Sequence, residues 1–329
     1  MKKLICSGWT IVAMWLAFFG LADAPLANAQ KFSDWGPPVN LGQTINFPGA
    51  NTQHPAISRN GLSLYFSSDR PEGSGMLDLW VSQRPSVNDS WGVPQNLGPN
   101  INSAATDSAP NLTPDGHFLY FYSGRPGGCG PAGTDDLYVS HRRDKDDDFA
   151  WEPPVNLGCT INGPFNDAGP TFFHDRETDT TYLYFTSTRP GGPGNYDIYV
   201  SILDEEGNFG PGVLVPELSS PFRDTRTAIR KDGLEIILSS GRPGGVGSED
   251  LWVSTRDDTE DPWSTPVNLG PIVNSPSFDG APALSWDGTT LYFFSERPGG
   301  IGKRDLYVTT RTQLPHKCKD SDNNDFKKE

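Results

Sequence analysis

Four cysteines, three methionines and five histidines in 329 residues leave little material for thiol, thioether or imidazole chemistry. His54, His117, His141, His174 and His316 show no metal-ligand spacing, and CxxC, HExxH and GxSxG motifs are missing. A zinc centre, a dithiol redox site and a nucleophile elbow of the usual patterns are thereby excluded. The sialidase-like box SxDxGxTW is also absent. Basic residues are scarce: 26 Lys and Arg face 41 Asp and Glu, giving a formal charge of −15. That balance disfavours nucleic acid as a partner, because such binding rests on cations that neutralise phosphates. Beyond residue 30 no apolar run is long enough to cross a bilayer.

The one long apolar run, residues 4–22, follows Lys2 and Lys3 and precedes Ala27, Asn28 and Ala29, small residues suited to cleavage. Residues 1–29 therefore read as a secretory signal, placing the protein in the periplasm or outside the cell. The run is also long enough for an uncleaved anchor; after cleavage no membrane insertion is expected. Cys129, Cys159 and Cys318 survive cleavage, and the first two, in neighbouring repeats, are candidates for a disulfide. Glycine (36) and proline (30) are abundant while hydrophobic residues make up only 35%, which suits many short strands joined by tight turns.

Self-similarity organises the rest. PVNLG or PQNLG occurs at 38–42, 94–98, 154–158 and 266–270, with a weaker GVLVP at 212–216. An aromatic residue precedes each: Trp35, Trp91, Trp151, Phe209 and Trp263. A short apolar segment then runs into Asn60-Gly61, Asp115-Gly116, Asp232-Gly233 or Asp287-Gly288, dipeptides that supply the positive φ of a tight hairpin. In the third copy residues 174–181 replace the tight turn, which predicts a protruding hairpin. An alternating aromatic strand, a glycine-rich loop and a second aromatic strand complete each unit. The loop arginines Arg70, Arg125, Arg189, Arg242 and Arg297 lie 55, 64, 53 and 55 residues apart, which fixes five units. The chain opens with one strand (35–41) and ends one strand short. The expected fold is thus all-β: a five-bladed β-propeller of four-stranded antiparallel blades over residues 30–311, closed by the N-terminal strand. Residues 312–329 read as a disordered polar tail.

The strings SpDG, LYFSS, RPGGxG and DLYVS resemble the WD40-like PD40 repeat of TolB-like exported bacterial propellers. This resemblance covers residues 35–311. It implies a scaffold that binds a protein, peptide or glycan more readily than it implies a reaction.

Three constellations invite a functional reading. Each loop arginine is followed by an aspartate (Asp78, Asp136, Asp197, Asp250, Asp305), and once-per-blade recurrence favours a structural pair across the loop. Thr52, Asp107, Asp167, Asp224 and Asp279 align at the head of the innermost strand, where four carboxylates converge on the channel mouth. They read as a Ca2+ site, a glycosidase carboxylate set, or loop caps. The departures from repetition, His54, Arg223, Asp224 and Arg226, are the best asymmetric ligand contacts, set against a local ion-pair network. The leading expectation is an exported, monomeric, non-enzymatic binding module without a cofactor, with a carbohydrate-active enzyme and a calcium-stabilised structural module as alternatives.

Overall fold

The computed structural model describes residues 32–315, which carry twenty strands and no α-helix. They form five four-stranded antiparallel sheets. Blade 1 comprises Thr52–Ile57, Ser63–Ser68, Asp78–Gln83 and Gln95–Asn96, from axis to rim. Blade 2 comprises Asp107–Leu112, Phe118–Ser123, Asp136–His141 and Val155–Asn156, and blade 3 Asp167–Asp175, Thr180–Ser187, Asp197–Ile202 and Val213–Leu214. Blade 4 comprises Asp224–Ile229, Glu235–Ser240, Asp250–Thr255 and Val267–Asn268. Blade 5 contributes Asp279–Leu284, Thr290–Ser295 and Asp305–Thr310, and its outer strand is Val39–Asn40 from the start of the chain, with Val39 opposite Val308. The ring is closed as the sequence predicts, by a strand that seals its own last edge. In blade 3 the two inner strands lengthen to nine and eight residues, forming the protruding hairpin.

A single blade has two apolar faces and can bury neither alone, so the core lies between blades. Five clusters do this, one at each interface. Tyr65 and Leu79 of blade 1 meet Leu119 and Phe121 of blade 2, for example, and Leu64 and Phe66 of blade 1 meet Tyr292 and Phe294 of blade 5. Burying a large side chain of this kind is worth about 1.5–3 kcal/mol. On the bottom face, Asp148 of blade 2 accepts bonds from Ser63 (2.5 Å), Tyr65 (2.6 Å) and Gln83 (2.8 Å) of blade 1 and pairs with Arg142 at 2.7 Å. Cys129 and Cys159 form a disulfide with Cα atoms 5.4 Å apart, tying the top loop of blade 2 to the segment beyond its outer strand.

The expected cross-loop Arg–Asp pairs do not form. The aspartate after each loop instead accepts loop amides, as Asp136 does from Cys129 N at 2.7 Å, and a side-chain amide such as Asn156 Nδ2 at 2.8 Å. The loop turns amides inward, such as those of Cys129, Gly194 and Gly247, and leaves the arginine to fold back over aromatic rings of the second and third strands. Arg125 donates from Nε to Ser123 Oγ (2.8 Å) and from Nη2 to Ile101 O and Asp107 Oδ1, both at 2.6 Å. Arg189 pairs likewise with Asp167, Arg242 with Asp224 and Arg297 with Asp279, at 2.6 to 2.7 Å. In blade 1 threonine stands where the carboxylate is found elsewhere: Arg70 reaches Thr52 Oγ1 at 3.4 Å, and burial pushes its pKa down to about 10.

Thr312 exchanges hydrogen bonds with Ser33, and Gln313 bridges Phe32, so the expected tail begins later than residue 312. The remainder of the tail and the expected signal segment lie outside the described residues.

Removing one partner of a buried pair leaves an uncompensated charge, so Asp279→Ala is expected to lower unfolding stability by about 3–5 kcal/mol. Thr52→Ala removes one long bond from a guanidinium to a hydroxyl and leaves no unpaired carboxylate, and should cost about 1 kcal/mol. Urea unfolding of the two variants checks the contrast, which equal losses would contradict.

Candidate active site at the axial pocket

Each innermost strand carries a bulge just after its first residues, where pairing to the second strand slips. The residue at the slip has a positive φ: His54 (52°), Ala109 (58°), Gly169 (60°), Arg226 (43°) and Ala281 (52°). Non-glycine residues seldom adopt this conformation, and such positions concentrate where the surrounding structure holds them for a purpose. Here the hold comes from the preceding blade. Ser67 Oγ receives Ala109 N at 3.0 Å, Thr186 Oγ1 receives Arg226 N at 3.1 Å and Ser239 Oγ receives Ala281 N at 2.8 Å. The position that carries His54 and Arg226 is therefore also the one the backbone turns at the axis.

The structure separates the residues singled out from the sequence. Thr52, Asp107, Asp167, Asp224 and Asp279 are all fully buried. One oxygen of each aspartate is spent on its arginine. The other receives the amide of Ser103, Gly163, Ser220 or Ser275 at 2.5 to 2.7 Å. The four aspartates thus act as loop caps, one of the three readings their alignment allowed. Among the described residues, no three His, Cys, Asp or Glu side chains gather in a way that could hold a metal ion.

His54, Arg223 and Arg226 do come together. They line a cavity of about 160 Å3 on the axis at the top face, with Tyr122, Tyr196, Phe278, Phe294 and Arg304 among its other walls. His54 Nδ1 lies 2.9 Å from Ser108 Oγ, and its ring meets Phe294 edge-on at 6.0 Å. Burial, then the charges of Arg226, Arg304 and Arg223, hold the imidazole well below its ordinary pKa. Arg223 lies over Tyr196 at 4.8 Å. Arg304 donates to Gln53 (2.6 Å) and Glu296 (2.8 Å) and covers Phe278 and Phe294.

Two carboxyls that sequence reasoning missed stand behind the walls of this pocket, next to its Tyr122 and Arg223, without lining it. The residue just before the loop-closing aspartate is Leu77, Asp135, Tyr196, Glu249 or Arg304 in blades 1 to 5. These are structurally equivalent positions on the top face, at the heads of the third strands. Burial, and secondarily the neighbouring charge of Asp136, raises Asp135 to about 6. Burial also raises Glu249, opposed by Arg223 and Arg304. Glu249 Oε1 is 3.7 Å from Arg223 Nε, and its Oε2 is buried with no hydrogen-bond partner among the described residues. A sequence signal existed: this column holds an apolar, an aromatic, a basic and two acidic residues beside an aspartate that never changes.

A larger cavity of about 670 Å3 opens on the bottom face between blades 2 and 3, lined by Tyr120, Phe172, Phe209 and Trp286. Its carboxyl, Asp115, is held below the usual range: burial is outweighed by hydrogen bonds from Thr113 and the His117 amide. That is a turn aspartate, unsuited to hold a proton near neutrality. The acid–base material of the molecule is at the top of the axis.

Comparison with known proteins finds no matching family model and no matching curated protein. Among solved structures the chain is similar to a thermostable family-43 glycoside hydrolase, at 12% identity and a TM-score of 0.56 over 82% of this chain and 93% of that one. It is similar to an α-L-arabinofuranosidase from Podospora anserina in complex with cellotriose, at 14% identity and a TM-score of 0.55 over 88% and 98%. An α-L-arabinofuranosidase from Lactobacillus brevis matches at 16% identity and a TM-score of 0.56 over 83% and 94%. At such identities the likeness is one of fold. It corrects the sequence reading nonetheless: the solved structures named here are glycoside hydrolases, and none of them is a PD40 or TolB-like repeat protein. The expectation of a non-enzymatic module that binds a protein or peptide falls with that resemblance.

A raised carboxyl pKa makes the folded state most favoured where the group is protonated, so its contribution is lost as pH rises through the folded value. Asp135→Asn is therefore expected to raise the melting temperature at pH 7 relative to the parent, and to lose that advantage by pH 4. Thermal melts across this range test the point; a variant less stable than the parent at pH 7 would count against a desolvated Asp135.

Proposed function

We propose that the protein is a glycoside hydrolase whose reaction takes place at the top of the propeller axis, on Asp135 and Glu249. One observation carries this reading: two carboxyls with raised pKa stand on non-adjacent blades behind the wall of one aromatic and cationic pocket, Asp135 close enough to act on Tyr122 and Glu249 on Arg223 and Arg304. Glycoside hydrolysis asks for such a pair, one carboxyl that holds a proton and one that gives it up. Asp135, at about 6, keeps its proton into the range where most carboxyls have lost theirs, and so can protonate a leaving oxygen. Burial raises Glu249 as well, but Arg223 and Arg304 oppose that shift with charges that favour the ionised form, and we assign it the part of the base. In the reaction the glycosidic C–O bond breaks, the leaving oxygen takes the Asp135 proton, water attacks the anomeric carbon, and Glu249 accepts the proton of that water. Tyr196, between the two blades, offers a ring face to the sugar.

The ligand on this reading is a glycan, in keeping with the arabinofuranosidases that share the fold. The leader-like N-terminus and the Cys129–Cys159 disulfide support an exported enzyme acting outside the cytoplasm.

Hydrolysis of aryl α-L-arabinofuranosides, β-D-xylosides and β-D-glucuronides, and of plant xylans, provides the test. Asp135→Asn and Glu249→Gln are each expected to lower kcat/KM by about 100-fold or more with the fold retained by circular dichroism. The acidic form of Asp135 should give the alkaline limb of the kcat/KM profile an apparent pKa near 6. No hydrolysis of any of these substrates, or full activity in both variants, would end the proposal.

A further inference from the structure

Arg226 pinches the axial channel. Its side chain borders both the top pocket and a narrower space of about 100 Å3 below, walled by all five innermost strands. It is 4% exposed, and its Nη2 donates to Pro110 O at 2.7 Å and Pro55 O at 3.4 Å. A guanidinium carries five N–H donors. Those on Nε and Nη1 have no partner among the described residues, although both atoms are buried.

The contrast with the other buried and nearly buried arginines is chemical: Arg70 too lacks a carboxylate, but its Nε and Nη2 are spent on Ser68 Oγ, Ile45 O and Thr52 Oγ1, and the others are ion-paired. Arg125, Arg189, Arg242 and Arg297 each hold an aspartate at 2.7 Å or less. Arg142 holds Asp148, and Arg230 and Arg311 hold Glu235. Arg226 makes no ion pair among the described residues, and desolvation pushes it down to about 10. A buried charge without a counter-ion is costly, several kcal/mol even after relaxation. Around it the pocket is lined by cations: Arg223 and Arg304 share the same walls, and their carboxylate partners Glu249 and Glu296 stand outside the lining. His54, the fourth nitrogen-bearing wall, is kept neutral by burial and by those three arginines. In a chain of net charge −15, this is a local reversal of sign at the end of an axial funnel. Low-dielectric walls concentrate such a field on whatever enters.

We infer that the floor of the axial pocket is a carboxylate-binding site built on the unpaired Nε and Nη1 of Arg226, and that the glycan bound there presents this carboxylate as a uronic acid. The glycan half of this inference rests on the hydrolase reading; the carboxylate half stands on the guanidinium alone. A carboxylate accepts charge-assisted bonds from the free donors and supplies the missing counter-charge. Arg223 and Arg304 stand higher on the wall, where Arg223 is half exposed and able to meet the anion on entry. A cavity of this size admits one small group, not a chain of sugars, which suits a terminal or side-branch uronate.

Calorimetric titration of the full chain in a chloride-free buffer tests this with D-glucuronate, D-galacturonate, D-glucose, D-galactose, acetate and chloride as separate ligands. A uronate is expected to bind at least ten-fold more tightly than its neutral parent sugar and than acetate, and Arg226→Met should abolish that preference. Arg223→Gln, a rim change that leaves the axis packed, is expected to weaken uronate binding several-fold. It keeps the inference open to test if Arg226→Met does not fold. Equal affinity for uronate and neutral sugar, binding of acetate or chloride as tight as that of uronate, or no effect of either substitution would overturn it. Uronate preference without hydrolysis would sink only the hydrolase reading; hydrolysis of neutral glycosides without uronate preference would sink only this one.

Discussion

The ion pair between the loop arginine and the first residue of the innermost strand holds the propeller together at the place where its blades must converge. In blades 2 to 5 one guanidinium joins three segments: the end of the second strand through serine, the preceding interblade loop through a carbonyl, and the head of the inner strand through aspartate. The aspartate in turn fixes the loop that leads into it by accepting an amide four residues upstream. Because both charges are buried, neither is useful without the other, and the pair specifies a geometry more than it adds stability. Once the strand heads are fixed in this way, the bulge that follows each one has a set position around the axis.

That position explains why the axis is asymmetric although the blades are not. A bulge with positive φ admits Ala or Gly where the axis needs only to be filled, as at Ala109, Gly169 and Ala281. At His54 and Arg226 the same backbone carries a long polar side chain, in a conformation that resists such residues. The hydroxyl of the preceding blade holds the Arg226 amide, whereas the equivalent residue before His54 is Phe294, which has none to offer. His54 is anchored through its ring instead, by Ser108, itself bonded to Ser67. Four of the five sites carry a side chain at positive φ, and at two of them it is long and polar, in one case leaving a guanidinium with unbonded donors, which is hard to account for by packing alone.

The architecture was legible because repetition multiplies weak signals. No single PVNLG or Asp-Gly is decisive, but five in register fix blade count, strand order and the N-terminal closure. The same repetition misled at the site. Four aligned aspartates look like a converging carboxylate cluster. A feature present in nearly every blade answers a need of every blade, however, and here that need is a buried partner for an arginine. The contacts that decide this, Arg125 with Asp107 rather than Asp136, join residues 18 apart and depend on which way the loop turns its amides, that of Cys129 among them. Nothing in spacing or composition encodes that choice. His54, Arg223 and Arg226 were found from their departure from the repeat. Asp135 and Glu249 were not, because each stands directly before an invariant aspartate and reads as one more acid in an acidic chain.

Fold likeness and site chemistry speak to different questions here. Glycoside hydrolase propellers share the five-bladed frame with this chain at identities of 12 to 16%, too low to carry residue roles across. The frame limits where a reaction can occur without naming its residues: inner-strand heads face one another only at the two ends of the axis. At the bottom end the carboxyl of the large cavity is stabilised in its ionised form by turn hydrogen bonds. At the top end two carboxyls are pushed the other way by burial, beside three arginines and a neutral histidine. Turn bonding and burial shift a carboxyl in opposite directions, and only the second leaves a proton on it near neutral pH. The direction of that shift, more than the size of the cavity, is what separates the two ends of the axis as places for acid–base chemistry.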